Sequence, residues 1–262
     1  KMTLYELVFN VDGTITEKIE VTHKIQAHDE DGNRVEKEAP KNEYLKTMTM
    51  FFFDNETNDP DLDWLQHGIS FACTYGLNQE KLLDIYNPLG HSLIEKSEYK
   101  NGIGMPNPLK KKISNLSNRN FWFSGKIKSH ENEYCIITEL YDAKKGKLIE
   151  QREFIGDDMF KLIDNLSLQL RYDLGIPASH IESTEFLPLS DIYTNSMKAF
   201  EYYVKGKVAK LGYDSAASED YYNKALTEDK DFAMVYYTLS DLHHYSESSC
   251  YLFLHMMNLH KN

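Results

Sequence analysis

Short, dense apolar runs alternate with long polar intervals along this chain, and each run has a readable period. Residues 3–11 and 19–27 are rich in β-branched and aromatic side chains, and the second run alternates, so both predict strands. Turn residues follow at Asp29–Asn33. Thr47–Phe53 carries no charge and predicts an interior strand, being too apolar for an exposed edge. An acidic, Asn-rich turn leads to Asp59-Pro60. Asp61 is placed to cap a helix whose Leu62, Leu65, Ile69 and Ala72 or Cys73 form one stripe. Asp84–Tyr86 starts another strand, and Gly102, Gly104, Pro106 and Pro108 mark a loop before a short helix at Leu109–Leu116. Three strands follow, Asn120–Lys128, Tyr134–Asp142 and Lys147–Phe154, joined by polar turns. From Asp157 the period turns helical through Leu174, and Gly175 and Pro177 close that helix.

The strands stop there. Residues 176–190, stiffened by Pro177 and Pro188, read as a linker, and 191–262 as helices alone. This organisation predicts an α+β or α/β sheet domain over 47–175, preceded by a β ribbon or the tail of another domain over 1–46. An all-α repeat region follows. Ala199, Tyr202, Tyr203 and Gly206 return thirty-four positions later as Ala233, Tyr236, Tyr237 and Ser240. A period of about 34 residues is the signature of the tetratricopeptide helix pair. Ser218, Tyr222 and Ala225 fall where its second helix needs a small residue, an aromatic and an alanine. The closing proline is replaced by Lys230, and the second unit has Leu252 where a small residue belongs.

Phe51–Phe53, Asn55, Asp59-Pro60, Leu62, Trp64-Leu65 and Gly68 together resemble the opening of the TolB-like (FlgO-like) amino-terminal α/β domain. Gly125, Leu140, Asp142 and Gly146 match that family's central strands, and Ala199–Lys207 is similar to its junction with tetratricopeptide repeats. The resemblance implies a bacterial, non-catalytic sensory or scaffolding module. It would bind a protein partner or small ligand and be attached to an effector such as a CadC-type winged-helix regulator, a class III nucleotide cyclase or a protein kinase. It favours an extracytoplasmic over a cytoplasmic address.

Composition narrows the chemistry. A net charge of -12 argues against a nucleic-acid surface. No apolar run approaches the ~20 residues of a membrane helix. Lys110-Lys111-Lys112 reads as a solvated helix start. Cys73, Cys135 and Cys250 are widely spaced and form no CxxC pair, so no cofactor or metal is expected from them. His243, His244, Cys250, His255 and His260 crowd the last twenty residues; His255 and His260 are five apart, not the i,i+4 spacing of one helical face, so a partly exposed helix pair is expected there rather than a metal site. One segment invites an enzymatic reading. Val8–Ile15 (VFNVDGTI) resembles the DxDGT motif of haloacid-dehalogenase phosphatases, with Asp12, Gly13 and Thr14 matching. Asn10 stands at the nucleophile, and an amide cannot form the aspartyl phosphate. Beside the binding module, then, stand an inactive phosphatase-like fold and a structural subunit of an envelope assembly. The candidate partner-binding residues are Tyr203 and Tyr237 on the repeats, and Tyr251, Phe253, Leu254 and Met257 on a final segment apolar nearly all round. Their occupant would be a protein partner or a second copy.

Overall fold

A computed structural model describes residues 5–9, 15–20, 22–29, 32–41, 44–99, 101–131 and 133–242. The chain has a mixed α/β sheet region followed by a carboxy-terminal helical region. Residues 10–14 of the phosphatase-like motif, the terminal histidines, and Tyr251, Phe253, Leu254 and Met257 lie outside the described residues.

Two antiparallel hairpins come first: β1 (Tyr5–Phe9) with β2 (Ile15–Glu20), and β3 (Thr22–His28) with β4 (Arg34–Pro40). β4 was not expected, because its charges show no apolar period. Local pairing to β3 holds it. Asp29 shapes the turn by accepting from the Asn33 backbone N–H at 2.8 Å, and Lys24 pairs with Glu36 across the ladder at 3.0 Å.

The main sheet has the order β6-β5-β7-β8-β9. β5 (Lys46–Asn55) lies parallel to both neighbours, β6 (Leu83–Tyr86) and β7 (Phe121–His130). β7, β8 (Glu133–Asp142) and β9 (Lys147–Gly156) form an antiparallel meander. The apolar run of β5 does not alternate, for two reasons. Both faces are covered, and the register slips between Met50 and Phe53, where β5 holds one residue more than β7. Met48, Met50, Phe52 and Phe53 therefore join the larger core, whereas Phe51 packs on the opposite face with Ile113 and Trp122. At this bulge the Phe51 carbonyl accepts from the buried Ser70 hydroxyl at 2.8 Å. Each fully buried Phe or Met contributes about 1.5–3 kcal/mol. A Cβ at Gly125 would stand 2.4 Å from the Phe53 ring and 2.3 Å from the Ile137 carbonyl oxygen, so glycine is required there.

Helices cover both faces. α1 (Leu65–Leu77) connects β5 to β6 and buries Leu65, Ile69, Ala72 and Cys73 on the larger core. Asp59 caps the short 3-10 turn before it, accepting from Asp61 N–H at 3.0 Å, so Asp61 is not the cap. α2 (Ser92–Glu95) and α3 (Asn107–Leu116) close the other face. There Lys110 is buried with its ammonium 5.9 Å over the Phe51 ring, and not solvated. α4 (Met159–Asp173) follows β9 and packs on α1; Asp158 caps it.

Residues 176–190 hold α5 (Ala178–Ser183) and the start of α6 (Leu189–Ile192), and they place Ile176, Ile181 and Leu189 in the larger core. α7 (Met197–Leu211) and α8 (Ser215–Glu228) form an antiparallel pair, with α9 (Ala233–Leu242) beside α8. The pair is close because Gly206 faces Tyr222; a Cβ there would lie 2.5 Å from the ring. Ser218 donates to the Gly206 carbonyl at 3.0 Å. Phe200, Tyr203, Val204 and Phe232 extend the buried cluster of the sheet, so one core runs through both regions.

Candidate functional site

α1 has two flanks of different character. On the α4 side lies a closed ionic cluster. Glu80, in the turn after α1, is buried and accepts from Leu82 N–H at 2.9 Å. His180 Nε2 stands 2.7 Å from the same carboxylate, and Arg171 Nε 3.9 Å from its other oxygen. The Arg171 guanidinium also donates to the carbonyls of Ser167 and Gly76, at 2.9 and 2.8 Å, and lies 4.0 Å over the Phe186 ring. These contacts tie α1, α4 and α5 together.

The other flank opens into a cleft of about 840 Å³ between α1, Leu89, Gly90, Glu95 and Asn101, the end of α7 and α9. Its size is that of a small-molecule site. α1 supplies His67 and Tyr75, α7 supplies Lys207 and Leu211, and α9 supplies Tyr237 and Thr238. His67 is buried, with its ring 4.3 Å from Phe52 and Nε2 at 3.1 Å from the Asn101 carbonyl. A carbonyl only accepts, so Nε2 carries the proton. Burial holds the His67 pKa below the usual value, with the Asn101 bond opposing.

Lys207 is the unusual group. Its ammonium lies 5.6 Å over the Phe71 ring and 6.0 Å over the Tyr203 ring, and it makes no ion pair among the described residues. Burial lowers its pKa, Lys210 lowers it further, and Asp241 opposes both. The Asp241 carboxylate is itself engaged by Lys210. Beneath the cleft the hydroxyls of Tyr203 and Tyr222 are buried with no hydrogen-bond partner. Burial drives the Tyr203 phenol well up, and Tyr75 is close enough to add to the effect.

Of the residues expected to meet a partner, Tyr237 is half-exposed at the lip of this cleft. Tyr203 has no exposed surface; its ring lies among Phe200, Tyr222 and Phe232, so it is core and not a surface contact. Lys207, His67 and Tyr75 were missed. A signal for Lys207 exists: it stands four residues after Tyr203 and eight after Ala199, on the apolar stripe of its helix, where a charge is out of place. Among the described residues no group of three or more His, Cys, Asp or Glu side chains is arranged to hold a metal ion. No described helix is long and apolar enough to cross a membrane.

No family model matches the chain, and no curated protein does. Among solved structures, the LpoB carboxy-terminal domain from Salmonella enterica is similar with a TM-score of 0.37 at 10% identity, over 43% of this chain and 83% of that one. A PelC dodecamer from Paraburkholderia phytofirmans gives 0.35 at 12%, over 58% and 97%. TolB from Acinetobacter baumannii gives 0.33 at 12%, over 60% and 32%.

Proposed function

We propose that this chain is a non-catalytic binding module whose occupant enters the cleft between the sheet region and the helical region. The observation that carries the reading is the cleft itself: about 840 Å³, walled by α1 on one side and by α7 and α9 on the other. An occupant touches both regions at once, so its binding energy biases how the helices sit on the sheet. That is how a sensory module passes occupancy to an attached effector. The close Gly206–Tyr222 contact and the Ser218 bond support reading α7–α8 as a tetratricopeptide unit. The ordered motifs from Phe51 to Gly146 support a TolB-like sheet domain.

Magnetic resonance screening of a fragment library against the chain tests this. Binders are expected to shift signals of α1, Gly90, Asn101, α7 and α9 together. Leu211→Trp, at an exposed position that lines the cleft, is expected to abolish those shifts without unfolding the protein. Binders that map elsewhere, or that are indifferent to Leu211→Trp, would overturn the reading.

A further inference from the structure

We propose that the cleft selects an amphipathic organic acid, with one carboxylate set against the Lys207 ammonium and an apolar, ring-bearing body along the aromatic walls. This deepens the binding role proposed above and rests on it.

The charges facing the cleft do not balance locally. Lys210 and Asp241 satisfy each other at its edge. Glu95 is exposed, and His67 is engaged with the Asn101 carbonyl. Lys207 makes no ion pair among the described residues: its ammonium lies over two ring faces, and Asp241, already paired with Lys210, acts on it only without direct contact. Cation–π contact contributes about 0.5–2 kcal/mol, less than a charge-assisted hydrogen bond in the same desolvated place. An entering carboxylate therefore gains more here than a neutral head, and an ammonium is repelled. The walls choose the rest of the molecule, since Tyr75, Tyr237, Leu89 and Leu211 offer rings and aliphatic surface.

The test uses three probes with one body and different heads: 2-naphthoate, 2-naphthylmethanol and 2-naphthylmethylammonium. Each is titrated calorimetrically into the full chain. The acid is expected to bind at least tenfold more tightly than the alcohol, and the ammonium most weakly. Lys207→Met is expected to erase the preference for the acid while leaving alcohol binding within about twofold. Lys207→Arg is expected to keep the preference. Equal binding of acid and alcohol that Leu211→Trp blocks would overturn this inference and leave the cleft as a binding site. An acid preference that survives Lys207→Met in a chain with unaltered thermal unfolding would also overturn it. Failure of all three probes would overturn the inference, while the fragment screen judges the broader reading separately.

Discussion

Arg171 and Lys207 are both cations beside α1, the first buried and the second half-buried, and their surroundings differ in kind. Arg171 meets two carbonyls, a carboxylate and a ring, all supplied by the protein, although its Nε–H makes no hydrogen bond. Lys207 meets two rings and faces an open cleft. A buried charge that the protein satisfies is part of the frame. One that the protein leaves to aromatic faces beside a cavity is available to something else. The comparison therefore assigns opposite consequences to removing each.

The largest effect is expected on the closed flank. Arg171→Met keeps the volume but leaves Glu80 buried with one cationic partner fewer, which should destabilise the fold by about 3–5 kcal/mol in urea unfolding. An unchanged midpoint would show the cluster to be incidental. On the open flank the sign reverses. Tyr203→Phe removes a buried hydroxyl that makes no well-formed hydrogen bond, with Thr238 and Tyr75 as its polar neighbours, and is expected to stabilise the protein by about 1 kcal/mol. Loss of stability would mean that this hydroxyl is satisfied in solution. Lys207→Met follows, with a gain of about 0.5 kcal/mol measured by the same unfolding curve.

The smallest effect is a pH dependence. The folded His67 pKa lies below its unfolded value, so the folded state resists protonation. Above about pH 6.5 neither state holds this proton and the contribution is constant. As pH falls below that, the unfolded chain takes up a proton first, and stability declines until the folded pKa is reached. His67→Gln should flatten the difference between unfolding at pH 7 and pH 5.5. Identical slopes in variant and parent would place the dependence elsewhere.

Much of the sheet was legible because its strands and helices obey simple periods. Thr47–Phe53, the meander and the α4 stripe announce themselves, and Gly206, Ser218 and Tyr222 announce the close helix pair. The cleft was not legible. Lys207 reads as an ordinary surface lysine unless it is set against the stripe of Ala199 and Tyr203. Glu80 finds His180 one hundred residues away, and no local pattern records such a pairing. Residues 176–190 looked like a linker because two prolines and short helices hide the burial of Ile176, Ile181 and Leu189. Tyr203 was misplaced to the surface since repetition locates an aromatic on a helix but not the depth of what it faces.

The position of β5 also bears on how the molecule comes together. The β7–β8–β9 meander closes through short turns, so its pairing is quick. β5 joins the sheet by parallel ladders to strands that arrive much later in the chain, and those contacts wait on the closure of long loops. Until then the run TMTMFFF, uncharged and without proline, is unpaired. That is the composition of a segment that associates with copies of itself. The strand that anchors the finished core is thus the one that most needs to fold promptly, and refolding yield at rising protein concentration should be limited there first.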